Sequence, residues 1–218
     1  MVKSGRDQSE HRRVGAIVRR LGRVMCVTVI GIGVLSTVAW GCSDAQRTAA
    51  TLIRRGDLAG AEAIYRELVA TDQTDAKALN GLAMTLMLEH KYVEALPFQE
   101  RVIAADPKDV QTRVELGFNY LNHQNRPNDA VRVLKEAAAL DGSAKNLTFL
   151  AQAQAAAGKT DEAEQSLRLA LKADPKYAYS YTVLIGLLEK NLRTAEAAEV
   201  RDLAASHGVQ VKAEQPSQ

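Results

Sequence analysis

Polar and apolar positions along this chain alternate with a helical rather than a strand period. In residues 158–175, GKTDEAEQSLRLALKADP, the apolar positions Ala163, Leu167, Ala170 and Leu171 fall at helical spacing within a charged background. So thin a stripe predicts a helix that must pack against other helices. The pattern also recurs at a longer period. Steps of 34 residues connect Ala61, Ala95, Ala163 and Ala197, broken only at Asp129, which Ala130 follows. A second column runs Ala49, Ala83, Gly117, Ala151 and Ile185, and a third Leu82, Leu116, Leu150 and Leu184, with Thr48 its weak first member. Agreement in several columns predicts five stacked units near residues 42–75, 76–109, 110–143, 144–177 and 178–211.

Each unit reads as two helices. Small residues let the pair approach closely, and larger apolar residues fill the space on either side. In the fourth unit Gly158 predicts the end of the first helix, and Thr160 is expected as N-cap of the second, with Asp161 and Glu162 at its positive end. Asp72, Asp106 and Asp174 are in phase, as are Pro107 and Pro175, which predicts unit boundaries at Asp-Pro. Pro97 falls near the start of, or inside, the second helix of its unit.

These residues resemble the tetratricopeptide repeat over residues 43–211: Leu, Leu and Ala in the first helix, then Ala-x3-Leu-x2-Ala and a closing Pro in the second. The resemblance implies an all-α fold, antiparallel helix pairs stacked into a right-handed solenoid with a concave groove. Unit three departs from it at HQNRPND (123–129), which moves its second helix one residue out of phase, and at Gly142 in place of proline. Unit one closes on Gln73, and unit five carries Arg201 where an apolar residue is usual.

Composition changes the picture mainly at the N-terminus. Aromatic residues are only 5% of the chain and alanine is abundant, which favours helix. The formal charge is +2, but residues 1–41 hold seven Lys/Arg against Asp7 and Glu10, so the remainder is mildly acidic. A basic footprint for nucleic acid is missing from the repeats. Residues 24–43, VMCVTVIGIGVLSTVAWGCS, are uncharged and follow the basic stretch. Residues 1–41 therefore read as an export signal or membrane anchor, with everything after Ser43 on the outer side. Three readings stay open: lipidation at Cys42 after cleavage behind Gly41, an uncut membrane anchor, or removal by an ordinary signal peptidase. The lipobox resemblance departs at Ala39 and Trp40. The pairs Arg12-Arg13 and Arg19-Arg20 also allow a twin-arginine export reading. Residues 212–218 form a polar tail.

Candidate chemistry is sparse. Both cysteines, Cys26 and Cys42, lie within the apolar run, so the repeats have neither disulfide nor thiolate metal site. His90 and His123 fall at ends of first helices and His207 at the end of the last, places where turn residues are expected. No phosphate loop, nucleophile motif or paired-carboxylate motif is found. Neither enzyme activity, cofactor, metal nor small-molecule substrate is expected, and charged runs such as TDEAE and YVEA read as solvated helix faces.

The resemblance implies that first helices line the groove and bind a protein partner. The groove positions are then Asn80, Met84, Met87 and Leu88 in unit two, and Gln111, Val114, Phe118, Leu121 and Asn122 in unit three. Lys145, Thr148 and Gln152 follow in unit four, and Tyr179 and Thr182 in unit five. The lysine and asparagine clamp that some such domains use for a charged C-terminus is not formed, because Ala50 and Met84 stand where asparagine is needed. With its export signal, the chain is similar to small repeat lipoproteins of bacterial envelopes, including those that assemble tight-adherence (Flp-type) pili. That likeness implies a scaffold for an envelope assembly. A holder for exported subunits and a regulatory subunit of an envelope enzyme are the alternatives.

Overall fold

The computed structural model describes residues 35–211, with side chains from Ser43 onward. The export or anchor segment up to residue 34, the side chain of Cys42 and the tail 212–218 lie outside the described residues. Ten α-helices and no strand are found among those described: α1 (Leu35–Arg54), α2 (Leu58–Thr71), α3 (Ala76–Leu88), α4 (Tyr92–Ala105), α5 (Val110–Asn122), α6 (Pro127–Leu140), α7 (Ala144–Ala156), α8 (Thr160–Ala173), α9 (Ala178–Lys190) and α10 (Thr194–Ser206). The fold is all-α, as the periodicity and the resemblance imply. First helices α3, α5, α7 and α9 begin one 34-residue period apart, whereas α6 begins one residue late because the loop before it is one residue longer. Two compact units divide after Phe98, inside α4. In the first, α1 packs on α2 and α2 on α3. In the second, each helix from α5 to α10 packs on the next, and α7 also meets α5 and α9.

The small-residue columns lie inside. Ala61, Ala95, Ala130, Ala163 and Ala197 are all fully buried, so the break at Asp129 is repaired by its neighbour. Ala49, Ala83, Ala151 and Ile185 are buried as well, as are Leu82, Leu116, Leu150 and Leu184. The approach is closest at glycine. A Cβ on Gly117 would lie 2.6 Å from Leu134 Cγ, and one on Gly81 would lie 2.3 Å from the Tyr65 ring. Nothing larger than hydrogen fits at either place.

Helix ends follow a common plan. Asp75, Asp109 and Ser143, successive members of one column, cap α3, α5 and α7: the Asp75 and Asp109 carboxylates accept from Lys77 N and Thr112 N at 2.9 and 3.0 Å, and the Ser143 hydroxyl accepts from Asn146 N. Second helices end at Asp72, Asp106, Asp141 and Asp174, whose carboxylates accept from the backbone N–H two residues on (Thr74, Lys108, Ser143, Lys176) at 2.8–3.1 Å. That geometry accounts for the aspartates seen in phase in the sequence. First helices close instead on a left-handed residue: Gly56, His90, Asn125, Gly158 and Leu192 all have φ between 50° and 80°. Gly158 ends α7 as expected, but the residue that begins α8 is not Thr160. Lys159 is the N-cap, without a side-chain cap, and Thr160 is already helical. The left-handed Gly158 turns Lys159 N–H back onto Gln154 O at 2.8 Å, and so advances the helix start by one residue. Pro97 sits inside α4, where it withholds a backbone donor.

Two ionic clusters join successive second helices; in TDEAE and YVEA, Asp161, Glu162 and Glu94 are exposed as solvated faces would be, whereas Glu164 is mostly covered by its ion pairs. In the first unit Glu62 of α2 accepts from Lys91 at 2.7 Å and from Arg66 at 2.5 Å, while Arg66 also reaches Glu94 of α4 at 3.0 Å. Three periods later, in the second unit, Glu164 of α8 accepts from Arg193 at 2.5 Å and from Arg168 at 2.6 Å, and Arg193 holds Glu196 of α10 at 2.5 Å. Burial raises the Glu62 carboxyl, but the hydrogen bonds from Lys91 and Arg66 outweigh it and bring it down to about 2. Arg193, and then Arg168, likewise lower Glu164 against its burial.

Two predictions follow from this packing. Gly81→Ala should destabilise the chain by about 1–3 kcal/mol through overpacking against Tyr65, despite alanine's better helix propensity. Gly186→Ala, in α9 with nothing within 4 Å of the added Cβ, should stabilise by about 0.5–1 kcal/mol; urea midpoints of the two variants measure the difference. A carboxylate with a lowered folded pKa contributes its full stability above the unfolded value and loses it as pH falls through the folded one. The Glu62 share should therefore disappear between its ordinary 4.5 and about 2. Glu62→Gln should cost up to about 1 kcal/mol at neutral pH and make the acid-induced loss of stability shallower across that window, followed by circular dichroism.

Candidate functional site

The candidate site is the outward face of the first helices, and each unit presents its own part. In the first unit Asn80, Met84 and Leu88 recur every four residues along α3 and are exposed, both Met84 and Leu88 at 47%. Met87 is half-buried beside them. At the start of α3, Gln46 Nε2 of α1 donates to Asp75 Oδ2 at 2.8 Å and ties the two first helices together. The result is a short apolar stripe on a capped helix.

The second unit presents a broader face made by α5, α7 and α9. Gln111 and Asn122 are exposed at its two ends, and Gln111 Nε2 donates to Glu115 at 2.8 Å. Phe118 and Leu121 are half-buried. The Phe118 ring meets Phe149 of α7 edge to face with centroids 4.8 Å apart, and Lys145 Nζ stands 5.8 Å from the centre of the Phe149 ring. Gln152 Nε2 donates to the Tyr179 hydroxyl of α9 at 2.5 Å, and Tyr177 packs against Tyr179 with centroids 6.4 Å apart. Burial, and then neighbouring Tyr179, raise the Tyr177 hydroxyl. This is a mixed surface of aromatic rings and side-chain amides.

Two expected groove positions lie in the interior. Val114 is 7% exposed and belongs to the core of its helix pair. Thr148 is fully buried, with its hydroxyl 2.7 Å from Ser180 of α9, so it joins neighbouring first helices. Thr182 is half-buried. A step of one residue rotates a side chain about 100° around a helix, enough to turn a groove position inward. Phe149 and Tyr177, which complete the aromatic part of the face, were missed by counting groove positions. Their signal was present as aromatic residues beside Thr148 and Tyr179 in a chain poor in rings.

The histidines serve helix ends. His90 occupies the left-handed position after α3, with Nδ1 2.6 Å from the Tyr92 hydroxyl. His123 is the C-cap of α5. His207 caps α10 and lies 2.6 Å from the Tyr181 hydroxyl, which donates to Pro175 O at 3.0 Å. Among the described residues, no three or more His, Cys, Asp or Glu are grouped to hold a metal, and no helix is long and apolar enough to cross a membrane.

Comparison with known proteins agrees with this architecture. Two tetratricopeptide-repeat family models match residues 47–110 and 121–184, together more than half of the chain. Cellulose synthase 1 operon protein C of Komagataeibacter xylinus is 26% identical over 174 residues, which are 74% of this chain and 13% of that protein. The chain thus spans only a small part of the length of this curated relative. Among solved structures, MamA from Desulfovibrio magneticus RS-1 superposes with a TM-score of 0.66 at 18% identity, covering 76% of this chain and 96% of that one. YrrB, a TPR protein with an unusual peptide-binding site, superposes with a TM-score of 0.63 at 21% identity, covering 74% of this chain and 84% of that one. At these identities the likeness to the solved structures is one of fold.

Proposed function

Because the chain belongs to the tetratricopeptide repeat family, whose repeats bind protein or peptide partners, we propose that it is a non-enzymatic scaffold that holds a protein segment on the first-helix face. The observation that carries this reading is the surface of α5, α7 and α9, where Phe118, Phe149, Gln152 and Tyr179 form one partly exposed set. Half-buried rings supply apolar contact area, and Gln111, Asn122 and Gln152 supply amides suited to a peptide backbone. Met84 and Leu88 add an adaptable apolar stripe on α3. YrrB supports the reading as a protein of this fold with a peptide-binding site.

The scaffold is carried on the outer face of a bacterial membrane by residues 1–41, through a lipid on Cys42 or through the apolar run itself. There it serves the assembly of an envelope machine such as a pilus or secretion system. The relative named for a cellulose synthase operon favours a second reading, an accessory subunit of an envelope polysaccharide synthase.

Photo-crosslinking in intact cells tests the surface. A crosslinker at Asn122, on the first-helix face, should give a discrete protein adduct, whereas one at Leu169, 55% exposed on α8, should not. Equal adducts from both positions would place binding elsewhere. For the anchor, labelling with a fatty-acid analogue should be lost in Cys42→Ala if the lipid is the attachment; membrane retention without label in the native chain would favour the uncut apolar run.

A further inference from the structure

In a chain with only 5% aromatic residues, four rings gather on the face of α5, α7 and α9. They form two pairs. Phe118 of α5 meets Phe149 of α7 with centroids 4.8 Å apart, and Tyr177 meets Tyr179 at the start of α9 with centroids 6.4 Å apart. Gln152, three residues after Phe149 on α7, links the pairs through its hydrogen bond to Tyr179, and that bond fixes the direction of both polar groups. Gln152 Nε2 donates at 2.5 Å, so the Tyr179 oxygen is the acceptor and the hydroxyl hydrogen is left for a group outside. Gln152 Oε1 is covered and has no hydrogen-bond partner, so the amide turns its acceptor inward and keeps a second N–H to give. Lys145, exposed one turn before Phe149, adds a third donor. The carboxylate of this face, Glu115, already accepts from Gln111 at 2.8 Å.

Such a face suits an apolar ligand that offers acceptors and few donors. A proline-rich segment has that chemistry. Its rings are apolar, each proline lacks a backbone N–H, and its polyproline II helix leaves the carbonyls without internal hydrogen bonds. The spacing agrees as well. With three residues per turn at about 3.1 Å each, one edge of such a helix repeats about every 9 Å. Packed helices stand roughly 8–10 Å apart, so that edge would meet α5, α7 and α9 in turn. Other segments fit less well. An amphipathic helix needs a continuous apolar groove, which Gln152 and Tyr179 interrupt. An added strand needs a free sheet edge, and no strand is found among the described residues. An acidic segment would meet Glu115 as well as Lys145. Resting on the reading of this face as the binding surface, we propose that its occupant is a proline-rich segment of the partner in the polyproline II conformation. Prolines lie against the two ring pairs, and carbonyls accept from Gln152 and Tyr179.

Fluorescence anisotropy with the full chain tests the proposal, using labelled decaproline, an extended Thr/Val peptide of equal length and an amphipathic Ala/Leu/Glu helix as probes. Decaproline should bind saturably and at least about tenfold more tightly than either of the others. Tyr179→Phe keeps the ring and removes the donor, and should weaken decaproline about threefold to tenfold. Gln152→Glu should weaken it at least as much, because the carboxylate takes the Tyr179 hydrogen inward. Both side chains are partly exposed, and unchanged circular dichroism would show that the fold is kept. Decaproline that fails to bind, or that binds both variants as well as the native chain, would overturn the proposal. If the Thr/Val or helical peptide binds best and loses affinity in Tyr179→Phe, the proline chemistry is wrong while the face remains a binding surface. Equal crosslinking from Asn122 and Leu169 would instead remove the underlying reading together with the proposal.

Discussion

A helix that carries hydrogen or a single methyl where it crosses its partner permits a backbone separation that no larger residue allows. Every pair in this chain depends on that constraint. Gly117 lies under Leu134 and Gly81 under Tyr65, with no room for a Cβ at either place. Ala61, Ala95, Ala130, Ala163 and Ala197 fill the corresponding role on the second helices and are all fully buried. Close approach is what allows so thin an apolar stripe to suffice: dispersion contacts are made over the whole crossing rather than by bulky side chains alone. It also relieves the outward faces of most apolar packing, which is why charge and amide groups can occupy them.

What lies between pairs is more varied. In the second unit neighbouring first helices are joined by different chemistry at each step: Phe118 on Phe149, then Thr148 on Ser180 and Gln152 on Tyr179. Second helices are joined by carboxylate and guanidinium or ammonium groups around Glu62 and Glu164. The apolar columns thus set the geometry of a repeat, while polar contacts distinguish one junction from another. Such differences give a periodic polymer local character, so that successive junctions are not copies of one another.

Much of the fold was legible in the sequence because burial imposes the 34-residue period on whole columns. Even the break at Asp129 carried its explanation, since the longer loop before Pro127 shifts Ala130 into place. The start of α8 was less legible. Thr160 has the better capping side chain, but the left-handed turn at Gly158 decides where the helix begins, and backbone geometry overrides side-chain preference. The ionic clusters escaped notice because each charge alone reads as solvated. Their signal is the recurrence of Glu62, Arg66, Lys91 and Glu94 as Glu164, Arg168, Arg193 and Glu196 three periods on. The candidate face was only partly legible. Asn80, Met84 and Leu88 are exposed as expected, whereas Val114 and Thr148 point inward, because solvent imposes no comparable period on outward positions.

The aspartate turns between repeats have an evolutionary corollary. Asp72, Asp106, Asp141 and Asp174 each satisfy the backbone of their own turn with a hydrogen bond spanning two residues. A gene duplication or deletion cut at those turns would move a complete helical hairpin without orphaning a donor. Length is thereby free to vary in whole modules, and a lineage can lengthen or shorten such a platform without first inventing a new way to end a helix.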